Sequence, residues 1–426
     1  MIQEPRDYQV QLAVIGSGLA GFAASIFALD RGLATAQVGN TGAIAYTTGY
    51  LDLLGVEAGQ VLDSPWEGLD RLRQQAPDHP LSRISDDDIR TALQRFTRVL
   101  SDMGIGYSEP GNRNLQALTP AGTTKPTLSV PLTMRAGIEA RRAGTRTLII
   151  DFIGLNGFSA REMVANFGHS WPGLTATRLG FPDMDSGAQV YPEVMARALQ
   201  VPANRERLAR RIKAVLGDAA AVGLPAILGI HQPDKVHADL QRRLGVPLFE
   251  IPTMPPAVAG IRLREMFEQQ FPARGLVLVP QQKVSRLELN PHEITLRLRD
   301  SYGDVIIHAQ AAVLATGRFL SGGLSAERNG IRETLLGLPV SQPDGRSSWH
   351  RQHYFAADGH PLNRAGIRTD GQFRPLGNDG NVVDPRLFAA GILLAGQDWV
   401  RERCGAGVAI ASAFKAVESA ARLLGG

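Results

Sequence analysis

The chain has few of the residues on which several kinds of functional centre depend. Its 426 residues include a single cysteine, Cys404, which excludes an internal disulfide, a cysteine-ligated iron–sulfur cluster and a C-x-x-C redox pair. A redox role would therefore need an organic cofactor, with any cluster on another subunit. Only five of the 45 basic residues are lysines, and the basic residues form no block. The sequence therefore predicts no nucleic-acid partner.

Long apolar runs are also missing from the sequence. No stretch reaches the roughly 18 consecutive apolar residues that a membrane span needs. The N-terminus opens with Glu4, Arg6 and Asp7 and shows no signal peptide. Hydrophobic residues make up 44% of the chain and charged residues 20%, as in a globular protein with a sizeable core. We expect a cytoplasmic protein, unless a partner holds it at a membrane.

A glycine-rich hexapeptide near the N-terminus carries the clearest signal in the chain. It consists of Gly16, Ser17, Gly18, Leu19, Ala20 and Gly21. An apolar run at 11–15 precedes it, and an Ala-rich segment at 22–29, expected to be a helix, follows it. Strand, G-x-G-x-x-G and helix in this order predict a nucleotide-binding unit, in which a phosphate lies on N–H groups at the helix start. The alternative is a Gly-rich turn in some other βα unit.

The place where such folds present a ribose-binding carboxylate holds none here. A second parallel strand is expected at 34–38, and an acidic residue usually follows it, about 20 residues past the glycines. In this chain Gly39 and Asn40 take that place. One expected anchor for a full dinucleotide is thus lacking, which favours a mononucleotide. Thr47, Thr48 and Gly49 come next, either as contacts to a flat ring system or as the cap of a helix.

Two further strand ends with glycine are candidate cofactor contacts. One follows an apolar strand at 306–314, after a β excursion that begins near 276. The other follows an apolar stretch at 387–395 and leads into an Ala-rich helix, whose free N–H groups would stabilise negative charge on a reduced flavin ring. The residues concerned are Ala315, Thr316, Gly317, Gly396, Gly405, Gly407 and Val408.

Three arginines among glycines form the best candidate for an anionic pocket. They are Arg318, Arg328 and Arg332. Pairing of these arginines with Glu327 and Glu333 is the alternative, and the sequence leaves both open. Arginine suits phosphate recognition because its planar fork of donors matches the oxygen geometry.

A histidine-containing loop follows the arginines. His350, His353 and His360 lie in it, and no cysteine or acidic cluster accompanies them, so no metal site is expected. One of these histidines is a candidate proton carrier. Earlier in the chain, Arg262 and Arg264 lie near the start of an expected helix, where either of them faces a pocket or solvent.

The glycine hexapeptide, the Ala315–Gly317 strand end and the glycine-rich segment before the last helix, taken in order, resemble two-domain flavoproteins of the fumarate reductase and glutathione reductase type. Longer motifs resemble a narrower family, the B subunits of anaerobic glycerol-3-phosphate dehydrogenase. They are Thr48 to Leu54 (T-G-Y-L-D-L-L), Pro252 to Leu263 (P-T-M-P-P-A-V-A-G-I-R-L), Ser321 to Glu333 (S-G-G-L-S-A-E-R-N-G-I-R-E) and Cys404 to Val408 (C-G-A-G-V). The resemblance runs from the first strand to the last helix and is loosest over 60–200.

The resemblance implies a function. Enzymes of this family oxidise sn-glycerol 3-phosphate to dihydroxyacetone phosphate and pass electrons to quinone in anaerobic respiration. The B subunit is assigned FMN, with FAD as the alternative. Two partner subunits are implied: one bears FAD, and the other carries iron–sulfur clusters and holds the complex at the cytoplasmic face of the inner membrane. Arg318, Arg328 and Arg332 are then phosphate ligands, and His353 is the candidate base.

Other functions remain open on the sequence. The chain is alternatively a scaffold that has lost its cofactor, an electron relay with catalysis on a partner, or a flavin-dependent dehydrogenase of another substrate. The expected fold class is α/β, with a Rossmann-like FAD/NAD(P)-binding-type flavin domain and an inserted α/β cap domain. We expect the flavin domain at 1–60, 271–335 and 366–426, the cap at 61–270, and a cap-associated segment at 336–365.

Overall fold

A computed structural model of the chain describes residues 5–40, 43–184 and 188–425. Its helices are α1 (Leu19–Leu29), α2 (Pro65–Gln75), α3 (Asp86–Asp102), α4 (Leu132–Ala143), α5 (Ala160–Phe167), α6 (Pro192–Ala198), α7 (Pro202–Lys213), α8 (Pro233–Leu244), α9 (Val258–Gln270), α10 (Trp399–Glu402) and α11 (Gly405–Leu423). Its strands are β1 (Arg6–Ile15), β2 (Thr35–Gly39), β3 (Val56–Glu57), β4 (Gln60–Val61), β5 (Leu115–Leu118), β6 (Thr124–Thr127), β7 (Thr147–Phe152), β8 (Leu174–Leu179), β9 (Ala221–Pro225), β10 (Leu248–Ile251), β11 (Val277–Pro280), β12 (Arg286–Leu289), β13 (Ile294–Asp300), β14 (Gly303–Leu314), β15 (Leu324–Glu327), β16 (Gly330–Glu333), β17 (Val340–Ser341), β18 (Gly366–Ile367) and β19 (Leu387–Ala389).

The described residues form two compact units. The first unit comprises those within Met1–Ile44, Asp52–Phe96 and Phe267–Gly426, and the second those within Ala45–Leu51 and Thr97–Met266. Each unit has its own sheet with helices packed on it, so the predicted α/β class is confirmed.

The first unit is built on a sheet in the order β11-β2-β1-β14-β13-β12, with β19 also beside β14. Strands β11, β2, β1, β14 and β19 pair in parallel, whereas β12, β13 and β14 form an antiparallel meander. In the central pair Val14 lies opposite Val313. Because β1, β14 and β19 run the same way, their carboxyl ends lie at one edge of the sheet.

The core of the first unit explains why its first strand and helix are so apolar. Residues Leu12 to Val14 of β1 are fully buried, as expected of a parallel strand covered on both faces. Phe27 of α1 packs edge-on against Phe414 of α11, with ring centroids 5.2 Å apart. Phe22 stacks on Phe267 at 4.4 Å. Burying one such side chain stabilises the fold by about 1.5–3 kcal/mol.

The second unit contains a parallel four-stranded sheet in the order β10-β9-β7-β8. Helices α4 to α8 and the Val258–Met266 part of α9 lie within it, and a buried hydrophobic cluster fills one face of its sheet, with Ile150, Leu224 and Leu248 among the members. The Tyr50 hydroxyl donates to the carbonyl of Leu118 at 2.6 Å, which ties residues 45–51 to this unit.

The two units divide the chain differently from the expected domains. Residues 61–96 and 336–365, expected in the cap or associated with it, lie in the first unit. A long-range contact of Arg83 illustrates the reason: its guanidinium donates to the carbonyl of Thr369 at 2.6 Å. Side-chain contacts of this kind leave no mark in the local sequence pattern.

Strand β11, at the start of the β excursion predicted from residue 276, pairs in parallel with β2 at the sheet edge. The basic stretch 195–217 contains two helices, α6 and α7, because Pro202 begins a new one. Among the helices of the described residues, none combines the length and apolarity that crossing a membrane demands.

Candidate functional site

The glycine hexapeptide forms the turn between β1 and α1, as predicted. Gly16 has a φ of +138°, and a Cβ built on it would lie 2.1 Å from the carbonyl oxygen of Ala315. A Cβ on Gly21 would lie 2.0 Å from the carbonyl oxygen of Gly16. The first and third glycines are therefore required for packing against β14 and for the close fit of helix and strand.

Gly18, the second glycine, differs because it faces open space. Within the described chain, no heavy atom lies within 4 Å of a Cβ built on Gly18. Gly18 is also the N-cap of α1, and no described side chain caps this helix end. The start of α1, at Leu19 and Ala20, thus presents backbone N–H groups and a positive dipole end beside an open cradle. The arrangement fits a phosphate group of a nucleotide or flavin.

Two buried polar residues, neither of them predicted as a site residue, hold the glycine turn in place. The Gln37 side chain, on β2, donates to the carbonyl of Gly16 at 2.9 Å. It accepts from the Ser25 hydroxyl of α1, also at 2.9 Å. Gln37 and Ser25 are both fully buried. The available signal was a glutamine inside an otherwise apolar strand.

The end of β2 lies against the glycine turn. A Cβ on Gly39 would come within 2.4 Å of the Ser17 nitrogen, so this position tolerates only glycine without a shift of backbone. The Ser17 hydroxyl donates to the carbonyl of Asn40. Ser17, Gly39 and Asn40 are thus brought together, as expected for residues of one site.

The segment after β14 lies beside the same turn. The Ala315 N–H donates to the carbonyl of Ile15 at 2.8 Å. Gly317 has a φ of +68°, where glycine is favoured. The Thr316 hydroxyl is buried and has no hydrogen-bond partner among the described residues. A buried polar atom next to the glycine turn fits a site for a polar ligand.

The N-terminus of α11 does not offer the free N–H groups that were expected. The Ala406 N–H donates to Oδ1 of Asp52 at 3.1 Å, and the Gly407 N–H donates to the carbonyl of Asp52 at 2.6 Å. Asp52 is 6% exposed. That expectation was wrong for these two groups, because a side chain from residues 48–54, one of the family motifs, already occupies the helix end.

The glycines around α11 serve the packing of the protein itself. A Cβ on Gly407 would lie 2.8 Å from the Cα of Leu53, and one on Gly405 would lie 3.3 Å from the Trp399 ring. A Cβ on Gly396 would lie 3.0 Å from the carbonyl oxygen of Asp78. Val408 is fully buried. Cofactor contact by Gly396, Gly405, Gly407 and Val408 stays a prediction.

Residues Thr47 to Gly49 belong to the second unit. The hydroxyl of Thr47 accepts from the Gly49 N–H at 3.1 Å, and that of Thr48 accepts from the Tyr50 N–H at 3.4 Å. Gly49 has a φ of +83°, and its Cβ would lie 3.0 Å from that of Ala259. The segment is a hydroxyl-stabilised turn. Its contact with a flat ring system stays a prediction.

Arg318 is buried and connects neighbouring backbone segments by hydrogen bonds, so it is not an exposed phosphate ligand. Its guanidinium donates to three backbone carbonyls, those of Asn363, Leu394 at 3.1 Å and Gln397 at 3.2 Å. Burial lowers the pKa of Arg318 to about 10, with Asp398 opposing the shift. The side chain connects the segment after β14 with the segments before α10.

The three arginines of the expected anionic pocket lie in different surroundings. Arg328 lies exposed at the turn between β15 and β16. Arg332 pairs with Glu327 at 2.8 Å, as the alternative interpretation foresaw. The Glu333 carboxylate instead accepts from backbone N–H groups, including that of Leu335 at 2.8 Å. Arg318 is buried against backbone carbonyls, so the three side chains do not face one common pocket, and phosphate binding by Arg328 and Arg332 stays a prediction.

The histidine loop shows no metal arrangement in the part of the chain that is described. His360 accepts from the Arg351 N–H through Nδ1 at 3.0 Å, and its Nε2 lies 3.0 Å from the carbonyl of Tyr354. The His350 ring packs edge-on against that of His360. His353 is exposed. Its role as a base stays a prediction.

A buried cluster that the sequence analysis missed lies just before α11. Nε2 of His79 lies 3.2 Å from Glu402, and its Nδ1 accepts from the Leu81 N–H, which places the proton on Nε2. The thiol of Cys404 also donates to Glu402, at 3.5 Å. Because Nε2 carries the proton, the arrangement is a hydrogen-bond network and not a ready metal site.

The electrostatics of this cluster follow from burial and the shared carboxylate. Burial, the largest single influence, opposes ionisation of Glu402, but the contacts with His79, the Asp398 N–H and Arg364 together outweigh it and lower the pKa of Glu402. Burial raises the pKa of the Cys404 thiol well above its usual range, and the charge of Glu402 adds to the shift. Cys404 is therefore a protonated buried thiol at neutral pH.

The second unit contains a buried ion pair on another family motif. The Arg262 guanidinium donates to both carboxylate oxygens of Glu250 at 2.7 Å, and both side chains are almost fully buried. Thr133 and the Leu228 N–H also donate to Glu250. Arg262 therefore faces the interior, whereas the Arg264 side chain is 23% exposed.

Sequence comparisons match this chain to an FAD-binding family and to one kind of dehydrogenase subunit. Residues 11–408 match the family described as FAD binding domain. The B subunit of anaerobic glycerol-3-phosphate dehydrogenase from Vibrio cholerae serotype O1 is 31% identical over 421 residues, which cover 96% of this chain and 95% of the relative. The protein of the same name from Yersinia pestis is 30% identical over 413 residues, covering 95% of this chain and 96% of the relative.

Solved structures are more distant. The 3-ketosteroid delta1-dehydrogenase from Sterolibacterium denitrificans, in complex with 1,4-androstadiene-3,17-dione, is 12% identical with a TM-score of 0.45, covering 98% of this chain and 100% of that one. The open conformation of a flavocytochrome c3 fumarate reductase is 11% identical with a TM-score of 0.40, covering 97% and 78%. Neither likeness carries an inference about function.

Proposed function

This chain belongs to the FAD binding domain family and to the family of anaerobic glycerol-3-phosphate dehydrogenase B subunits, and from this we propose that it is a flavoprotein component of a multi-subunit dehydrogenase. The proposed reaction is the oxidation of sn-glycerol 3-phosphate to dihydroxyacetone phosphate, with electrons passed to quinone. The observation that carries the proposal is the open cradle at Gly18, at the uncapped start of α1.

FAD is the flavin that we propose. The matched family is described by FAD, whereas the preference for FMN, drawn from the missing carboxylate after β2, has no support from the comparisons. The start of α1 would hold the phosphates by backbone N–H groups and the helix dipole. Ala315 and Thr316 would line the same edge of the sheet. When bound, the flavin supplies an acceptor for two electrons.

Partners and place in the cell follow the family resemblance. We propose two partner subunits, one that bears its own FAD and one that carries iron–sulfur clusters and holds the complex at the cytoplasmic face of the inner membrane. Two facts about this chain agree with that division. It has one cysteine, too few for a cysteine-ligated cluster, and its described helices include none fit to span a membrane.

A second candidate function is electron relay, with substrate oxidation on a partner. The arrangement of the arginines favours it: Arg318 is buried against backbone carbonyls, and the exposed Arg328 and Arg332 lie on the β15–β16 hairpin. No phosphate pocket is thus assembled from the residues expected to form one. If the chain binds no flavin at all, it cannot relay electrons and is a scaffold for its partners.

One experiment separates these candidates. The protein is purified alone and with its co-purifying partners, and each sample is extracted with acid so that any released flavin can be identified by chromatography. FAD in the chain purified alone supports the proposal. A chain that is free of flavin when purified alone, and whose complex releases only the flavin of the FAD-bearing partner, overturns it. Turnover of glycerol 3-phosphate with a dye acceptor by the chain alone supports oxidation on this chain. Turnover confined to the complex supports relay.

A further inference from the structure

Strand β11 brings a lysine to the edge of the sheet that carries the glycine turn. In the register of the strands, Pro280 of β11 lies opposite Gly39 of β2, and Val38 of β2 lies opposite Ile15 of β1. The carboxyl ends of these three parallel strands therefore lie side by side. Lys283 follows three residues after Pro280, on the connection that leaves this edge toward β12.

The Lys283 side chain reaches the segment that follows β14. Its Nζ lies 3.4 Å from the position of a Cβ built on Gly322. The Gly322 N–H donates to the carbonyl of Arg318 at 2.9 Å, and a Cβ on Gly323 would lie 2.6 Å from the Thr316 hydroxyl oxygen. Gly322 is thus held close to the end of β14, and Lys283 connects that region with the end of β11.

The span of this side chain runs past the glycine turn. The order of the sheet is β11-β2-β1-β14, so β2 and β1 lie between the two strands that the side chain connects. Gly39 ends β2, and the turn that begins at Gly16 follows β1. The Lys283 ammonium group therefore borders the edge at which the open space beside Gly18 lies.

The charge of Lys283 is not neutralised within the described part of the chain. Its side chain is exposed, and no ion pair between described residues includes it. The place after β2 that usually carries a ribose-binding carboxylate holds Gly39 and Asn40. A carboxylate there would compete with a phosphate for the ammonium group. Without one, this edge of the sheet favours a ligand with negative charge.

We propose that the Lys283 ammonium group binds the phosphates of a flavin nucleotide held at the start of α1. The inference rests on the proposed function, since it requires such a nucleotide on this chain. The backbone N–H groups and the helix dipole offer the phosphates partial positive charge, and Lys283 adds a full charge through charge-assisted hydrogen bonds. A contact of this kind recognises FAD and FMN but not riboflavin, which has no phosphate.

The test compares Lys283→Met and Lys283→Arg with wild type. Methionine keeps an unbranched side chain and removes the charge, whereas arginine keeps the charge. Lys235→Met is the matched control, because Lys235 is an exposed lysine on α8, in the second unit. Since Lys283 is exposed and unpaired among the described residues, the thermal midpoint of the apoprotein should be the same in all four proteins.

The readout is the dissociation constant of each apoprotein for FAD, FMN and riboflavin, from fluorescence titration at low and at high salt. We expect Lys283→Met to bind FAD and FMN about fivefold to tenfold more weakly than wild type at low salt, with a smaller dependence on salt. Riboflavin binding should not change. Lys283→Arg and Lys235→Met should bind all three ligands like wild type.

Two results separate this inference from the proposed function. FAD affinity in Lys283→Met equal to that of wild type, or an equal loss of FAD affinity in Lys283→Arg, overturns the inference alone. A wild-type chain that binds neither FAD nor FMN overturns the proposed function and the inference together.

Discussion

The side chain of Gln37 donates a hydrogen bond to the carbonyl oxygen of Gly16 across 2.9 Å, with the glutamine fully shielded from water. Gly16 is the residue whose φ of +138° starts the glycine turn. The conformation of the predicted phosphate cradle therefore depends on a residue in the neighbouring strand, which itself has no place in the G-x-G-x-x-G pattern.

Replacing Gln37 by leucine will weaken flavin binding. The change leaves the Gly16 carbonyl and the Ser25 hydroxyl without their partner, which costs about 1–3 kcal/mol for each buried polar group left unpaired. We expect a lower thermal midpoint and a lower flavin content, measured by melting and by flavin fluorescence. Gln310→Leu, an exposed position on β14, is the control. Equal flavin content in both variants would contradict the role of Gln37.

Gly18→Ala tests the open cradle directly. A Cβ at this position meets no described atom, so the apoprotein should keep its stability. The added methyl group occupies the space beside the start of α1, and we expect flavin affinity to fall at least tenfold, about 1.4 kcal/mol. Titration of apoprotein with FAD measures the change. Gly371→Ala, whose Cβ also meets only open space, should bind like wild type, and loss of affinity there would show that the effect is unspecific.

Glu250→Ala will destabilise the second unit strongly. It leaves the buried Arg262 charge without its bidentate partner, and breaking such a pair costs about 3–5 kcal/mol. Glu139→Ala removes the exposed partner of Arg135, and a surface pair contributes less than about 1 kcal/mol. Urea unfolding followed by circular dichroism compares the two. A similar loss in both variants is the result that would count against the buried pair.

The same pair predicts a pH dependence. Burial, the largest single influence, opposes the charge of Glu250, but Arg262 together with the hydrogen bonds from Thr133 and the Leu228 N–H outweighs it and lowers the pKa of Glu250 below that of the unfolded chain. A carboxyl with a lowered folded pKa stabilises the fold above its unfolded pKa, near 4.3, and this contribution is lost as the pH falls further. We expect the thermal midpoint to fall between about pH 5 and pH 3 more steeply in wild type than in Glu250→Gln. Parallel profiles would contradict this assignment.

Cys404 will resist thiol reagents in the folded protein. Burial raises the pKa of its thiol, and the thiolate is the reactive form. Treatment with a chromogenic disulfide at about pH 8 should label no thiol in native protein and one per chain in urea. Rapid native labelling would show that the thiol is accessible.

The local part of the site was predictable from sequence, and the long-range part was not. The turn at Gly16 to Gly21 follows from spacing and flanking apolar runs, because those properties are local. The hydrogen-bond partner of the Ala406 N–H is Asp52, 354 residues away, and no sequence pattern in either segment predicts the contact. The free helix end expected there was wrong for that reason.

The arginines show that residues close in sequence need not have side chains that lie close in space. Their closeness in sequence suggested one pocket, but a hairpin between β15 and β16 carries Arg328 and Arg332, while Arg318 turns inward to carbonyls of residues near 363 and 397. Nearness along a loop says little about which way each side chain faces. Similarly, the ion pair between Glu250 on β10 and Arg262 on α9 forms across 12 residues of chain, and neither local pattern indicates it.

The pairing of β1 with β14 has a consequence for synthesis of the protein. Val14 finds its neighbour Val313 only after about 300 further residues have been made, which takes roughly 15–60 s on a ribosome. The second unit draws most of its residues from one continuous stretch, Thr97–Met266, and can fold while translation continues. The first strand can pair early with β2 on one side, but its other side must wait for β14, so the nascent chain should depend on a chaperone until β14 emerges.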